Sequence, residues 1–250
     1  MIKQIEEHRS CRFFSDKSID KQIIRAIAEA AVRASNTGNM QLYSIVATTD
    51  RELLDALAPL HFSQPAARTA PLLLTFCADI NRFSKWCRLR GAEPAYDNFL
   101  WFVNAATDAL LASQNASLEA EANGLGVCYL GTTIYNAAAI ARLLDMPSGV
   151  IPITTVAVGY PTDTPSLTDR LPIEAVLHEQ RYHDYTDSDI EALWAERESS
   201  EFTKELLEQN QLPTLAHIFT ERRYTQKDNL AMSQSYFELL CEQGFFNQQK

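Results

Sequence analysis

From Phe99 to Asn123 the chain carries one unbroken helical pattern, closed by Gly124 as a C-terminal cap. Small residues recur along it: Ala105, Ala106, Ala109, Ala112, Ser113 and Ala116. Small side chains let helix axes approach closely, so this helix either runs through the centre of the core or pairs with a symmetry mate. Whatever fold the chain adopts must be arranged around it.

The elements on either side alternate between helix and strand. Ile19, Ile23, Ile24, Ile27, Ala30, Ala31 and Ala34 recur at helical spacing and place a first helix over about Asp20 to Ala34. Tyr43 to Thr48 is a β-branched strand, and Arg51 to Leu60 returns to helical spacing through Leu53, Leu54 and Leu57. Leu72 to Ala78 is a continuous apolar run of strand length behind Pro71, the signature of a strand buried on both faces. After the long helix come a short strand at Val127 to Leu130, a helix over about Asn136 to Leu144 and a strand from Ile151 to Gly159. Beyond Pro172 the pattern is charged and poor in apolar positions, with helices over 186–209 and from Asn229 to Gln243. The expected organisation is a core over 1–180 and a helical extension over 181–250 that wraps another surface, such as a second subunit.

Composition removes several classes of function. The formal net charge of -10 argues against broad nucleic-acid binding and against anionic membranes. No apolar run is long enough to span a bilayer, and the N-terminus lacks a cationic-then-apolar signal. Cys11, Cys77, Cys87, Cys128 and Cys241 are scattered, with neither a disulfide framework nor a CxxC spacing, so they read as reduced thiols of a cytoplasmic protein.

Against that acidic background His8-Arg9-Ser10-Cys11-Arg12-Phe13-Phe14 stands out. Its two guanidiniums suit an anionic ligand, because arginine's planar fork matches a phosphate and stays charged. The same pair could equally be surface arginines answered by neighbouring acids. Ser35 to Gln41 is a polar loop around Gly38, fit for a tight turn or for a polar ligand. Gly131, just past a strand, is where backbone could approach a flat ligand, and Arg170 sits in the loop from Asp163 to Pro172. No GxGxxG follows a strand, and GxxxxGK[ST], HExxH and GxSxG are absent. The histidines lack ligand spacing, so a zinc site is not expected. An arginine set without an acid–base or metal constellation points to borrowed cofactor chemistry.

In order, these pieces resemble the nitroreductase family, in its oxygen-insensitive nitroreductase and flavin reductase branch, over about residues 1–180. The opening HRSxRxF is similar to that family's N-terminal signature, and Asn36-Thr37-Gly38-Asn39-Met40-Gln41 to its polar turn. The passage from the long helix into GLGVCYLG, and GYP followed by RLP, resemble its later motifs. The resemblance implies an α+β fold: a mixed, mostly antiparallel sheet flanked by helices, in a homodimer with FMN at the subunit interface and the C-terminal extension exchanged. It also implies residue roles. His8, Arg9 and Ser10 would hold the FMN phosphate and ribityl chain, and Arg12 would stabilise negative charge on the ring. Asn36 and Thr37 would come from the other subunit, and Gln64 would bond the ring's polar edge. Tyr129, Leu130, Gly131 and Thr132 would face the ring through their backbone, and Arg170 would return to the phosphate. Two departures stand out: Thr168 occupies the place of a lysine, and Asn36 and Gly38 replace serines.

The implied activity is ping-pong hydride transfer from NADPH or NADH to nitroaromatics, quinones or similar acceptors. No side chain acts as an essential catalytic base in that scheme; Arg12 is the electrostatic tuner. The alternatives are a flavin reductase or a non-catalytic FMN-binding protein. Arg222-Arg223 could read a 2′-phosphate of NADPH, or be a solvated cationic turn.

Overall fold

The computed structural model describes residues 1–247. The chain divides into two compact units: the first runs from Met1 to Ser166 and resumes at Met232, and the second is Leu167–Ala231.

In the first unit the order is α1 (Lys3–Glu6), α2 (Lys21–Ala31), β1 (Tyr43–Thr48), α3 (Arg51–Leu60), α4 (Pro65–Thr69), β2 (Leu72–Asp79) and α5 (Asn81–Leu89). The long helix α6 (Phe99–Ala122) follows, then β3 (Gly126–Leu130), α7 (Ala137–Leu143) and β4 (Val150–Gly159). Among the described residues the strands form one antiparallel sheet in the order β1-β2-β4-β3. A parallel bridge from Ser10 to Val127 makes the whole pairing pattern mixed. The expected strands and the long helices are present, with ends that differ by a few residues. The short helices α1, α4 and α5 were not expected; each is too short, or too interrupted by charge, to show a periodicity.

The apolar run of β2 is central, as its composition requires, and both its faces are covered. Leu72, Leu74, Phe76 and Ala78 join the larger core with the alanines of α6, while Leu73 joins a second cluster with Leu54, Leu57 and Ile140. A bulge opposite Phe76/Cys77, next to Pro152, shifts the register of β4. That shift lets Ile151 and Ile153 before it, and Val156 and Val158 after it, face the same core. Along α6, Ala105, Ala109, Ala112, Ala116 and Ala120 form the buried stripe, so the small residues serve the core. The opposite face carries exposed Leu100, Val103, Leu110 and Leu111.

The second unit holds α8 (Asp187–Ser199), α9 (Glu201–Asn210) and α10 (Leu215–Ile218), followed by a wide helical turn at Phe219–Arg223. The expected helical stretch over 186–209 is interrupted at Ser200, which turns to extended backbone and caps α9. The final helix α11 (Gln226–Glu242) brings the chain back to the first unit, where Leu239, Leu240 and Phe245 enter the larger core. That end of the tail therefore covers its own subunit. No helix among the described residues is long and apolar enough to cross a membrane.

Candidate functional site

The arginine segment is fastened along an edge of the sheet. Cys11 N–H donates to the Val127 carbonyl at 2.9 Å, Ser15 N–H to the Tyr160 carbonyl at 2.9 Å, and Thr162 N–H to the Phe13 carbonyl at 3.1 Å. Glycine makes this approach possible. A Cβ on Gly126 would stand 2.7 Å from Cys11 Sγ, and one on Gly159 would stand 2.7 Å from Pro71 Cδ and 2.9 Å from Phe14 Cβ. Residues 8–14 are thereby held beside β3, which leads straight into Gly131 and Thr132.

Within that segment His8 Nδ1 lies 2.7 Å from Glu121 Oε1 at the end of α6, tying the cluster to the long helix. Burial pushes the Glu121 carboxyl up, opposed by His8. Arg9 donates Nε to the Glu7 carbonyl at 3.0 Å and Nη1 to the Pro165 carbonyl at 3.1 Å. Arg12 makes one long bond, 3.4 Å, to the Ser10 carbonyl. Among the described residues neither guanidinium has a carboxylate within salt-bridge distance, although Arg25, Arg51 and Arg197 do. Neither arginine is therefore held in an ion pair among the described residues, which leaves both guanidiniums able to meet an anion. Burial pushes the Cys128 thiol up, and the charge on Arg12 opposes it.

The run from Tyr129 to Thr132 continues from the part of β3 that residues 8–14 flank. Leu130 and Thr132 are buried, and Tyr129 is anchored by its hydroxyl, 3.0 Å from Ser113 Oγ and 3.3 Å from Ser117 Oγ. Gly131 is exposed, and no atom lies within 4 Å of the place a Cβ would occupy. This leaves open space where a flat ring could lie against backbone. Gln64 occupies the residue before α4, its N–H donating to the His61 carbonyl at 3.2 Å.

The Asn36–Thr37 turn is built on a residue that sequence reasoning missed. Asp108, buried in the middle of α6, accepts from Thr37 N–H at 2.9 Å, Thr37 Oγ1 at 3.1 Å and Leu42 N–H at 3.2 Å. Its signal was available: it is a lone carboxylate among alanines. Thr37 is thus a bracket of the turn, whereas Asn36 Oδ1 is buried without a partner among the described residues and awaits a donor. No hydrogen bond among the described residues joins this turn to residues 8–12 of the same chain.

Arg170 belongs to the second unit. Its Nη1 donates to Thr168 Oγ1 at 2.6 Å and to the Thr168 and Asp169 carbonyls at 3.2 and 2.9 Å. Thr168, the residue in a lysine's place, therefore holds the arginine. Arg223 lies over the Phe219 ring, 5.5 Å from its centroid.

His61 is the other residue that the sequence did not disclose. It is fully buried, and its Nδ1 lies 3.0 Å from Thr132 Oγ1. Nothing in a lone histidine after a helix announces this, since the partner is distant in sequence.

Residues 8–12 offer two guanidiniums beside β3, and Gly131 offers exposed backbone at the end of that strand. The comparisons identify the family. A model of the Nitroreductase family matches residues 5–160. The oxygen-insensitive NADPH nitroreductase of Salmonella typhimurium is 37% identical over 175 residues, 70% of this chain and 71% of that one. FMN reductase (NADPH) of Bacillus subtilis is 34% identical over 188 residues, 74% of this chain and 76% of that one. A solved Bacteroides fragilis protein is 47% identical with a TM-score of 0.96, covering 98% of this chain and 100% of that one.

Proposed function

The chain belongs to the nitroreductase family and is an FMN-dependent NAD(P)H oxidoreductase; within that frame we propose that its 8–12 segment and its 129–132 run hold the flavin, and that electron-poor nitroaromatics or quinones are its acceptors. The observation that carries the assignment is the pair of arginines, Arg9 and Arg12, without a salt-bridge partner among the described residues, on a segment bonded to Val127 of β3, the strand that runs on into the exposed Gly131. When bound, FMN supplies the chemistry, accepting hydride from NAD(P)H and passing two electrons on.

The protein's own part is binding, orientation and charge. Arg9, fixed by two carbonyls, has Nη2 left to donate to a phosphate. His8 and Ser10 border it, His8 held by Glu121 and Ser10 by its bridge to Val127. Arg12 sets a positive charge where negative charge develops during transfer. The backbone from Tyr129 to Thr132 gives the ring a rigid floor, and Gln64 an amide for its polar edge. One pocket serves nicotinamide and acceptor in turn, which explains a hydride-transfer enzyme without a separate dinucleotide fold.

We further propose a cytoplasmic homodimer in which Asn36 serves the neighbouring subunit's flavin and residues 181–231 of the C-terminal extension cross over, the end of α11 staying on its own subunit. The exposed Leu100, Val103, Leu110 and Leu111 of α6 support it, since such a face on a central helix asks to be covered. The unpaired cysteines suit a reducing compartment.

The test is direct. Purified protein should be yellow, its flavin band bleached by NADPH without oxygen and restored by a nitroaromatic or quinone. Protein that takes up no FMN would overturn the assignment; bleaching by neither nicotinamide would leave only a flavin-binding role.

A further inference from the structure

The loop between α3 and α4 is stitched to the segment after β3 by contacts of different kinds. Asn136 Nδ2 donates to the Leu60 carbonyl at 2.7 Å. His61 Nδ1 sits 3.0 Å from Thr132 Oγ1, both side chains buried. The rings of Phe62 and Tyr135 stack, with centroids 6.3 Å apart and planes 20° from parallel. The loop is also held in an unusual shape: Phe62 and Ser63 take φ of +56° and +50°, the left-handed region that side chains seldom adopt. Two such residues in succession persist only where the surroundings over-determine them.

The loop ends at Gln64 and the segment begins at Gly131 and Thr132, the groups assigned above to the flavin's polar edge and to the ring floor. We propose that His61 is a positioning residue: through Thr132, and with Asn136 and the Phe62–Tyr135 stack, it locks the two walls of the flavin site at a fixed separation. This rests on the flavin assignment.

The chemistry favours imidazole in this role. Burial lowers its pKa to about 4, so at neutral pH it is an uncharged bridge that brings no charge into the site. Its Nε2 is buried without a partner among the described residues, so its anchoring hydrogen bond is the one to Thr132. The positive φ values gain a reason: they turn the chain so that the imidazole points into the molecule while Gln64 follows at the start of α4.

The experiment compares Thr132→Val, Thr132→Ser, His61→Ala and His61→Asn. Valine keeps the shape of threonine and removes the hydroxyl; asparagine places an amide near the position of Nδ1. FMN dissociation constant, visible flavin spectrum and flavin midpoint potential are measured for each, with the melting temperature of the FMN-free protein. The expected result is an FMN affinity about tenfold weaker in Thr132→Val and His61→Ala, the cost of one lost buried hydrogen bond. A shifted flavin band or potential should accompany it, with both restored in Thr132→Ser and His61→Asn. Wild-type affinity, spectrum and potential in Thr132→Val would overturn the proposal. So would a weaker affinity that merely follows melting temperature with an unchanged spectrum and potential, because that describes a fold contact. Wild-type protein that binds no FMN would sink the underlying assignment as well, and is distinguished by that control.

Discussion

Arg9 spends two of its donor groups on backbone carbonyls and keeps the remainder for a ligand. Replacing it with alanine removes charge-assisted hydrogen bonds, so FMN affinity should fall roughly 10- to 100-fold. Arg25→Ala, which breaks an exposed pair with Glu29, should leave FMN affinity unchanged. Equilibrium titration of FMN-free protein separates the two; an equal effect would refute the site. His61 gives a pH prediction. Its folded pKa of about 4 lies below the ordinary 6.5, so the unfolded chain takes up the proton first as pH falls. Its contribution is complete above 6.5 and disappears towards pH 4, about 3 kcal/mol in all. Denaturation midpoints followed from pH 7 to 4 should fall more steeply for wild type than for His61→Asn; parallel curves would contradict the buried neutral imidazole. The arginines were legible in the sequence because charge against an acidic background is a local signal. His61 was not, and Asp108 showed only as a lone carboxylate among alanines, because each acquires its role when a partner from elsewhere in the chain arrives.

Elements show the same division. The continuous apolar run of β2 announced a strand covered on both faces, and the alanines of α6 announced a helix approached closely. The bulge beside Pro152 and the short helices α1, α4 and α5 were hidden: a bulge is a relation between strands, and a helix of one or two turns shows no period. Two glycines of the same passage should behave oppositely. Gly126→Ala drives a Cβ to 2.8 Å from Cys11 Cβ, so it should cost about 1–3 kcal/mol of stability and loosen the arginine segment. Gly131→Ala meets nothing within 4 Å, so it should leave the melting temperature unchanged and still weaken FMN, whose ring would occupy that space. Tight FMN binding by Gly131→Ala would place the ring elsewhere.

For the molecule as a whole, the sequence located the fold family by the order of its motifs but not by any single one. The α6 face of Leu100, Val103, Leu110 and Leu111 became visible only once the alanine stripe had been assigned to the core. If that face joins two subunits and Asn36 crosses between them, Leu110→Glu should give a monomer in sedimentation, with FMN bound at least about tenfold more weakly. A monomer that still binds tightly would contradict a shared site. Nicotinamide preference belongs at this scale too. Arg222→Ala/Arg223→Ala should lower the rate with NADPH and spare NADH if that pair reads the 2′-phosphate; unchanged preference assigns the pair to the surface. This chain moves hydride through FMN, and anaerobic titration of the FMN-loaded protein puts that to the test. One equivalent of NAD(P)H should bleach one flavin, and one equivalent of a quinone should restore it. A flavin that stays oxidised under excess NADPH and NADH would contradict it.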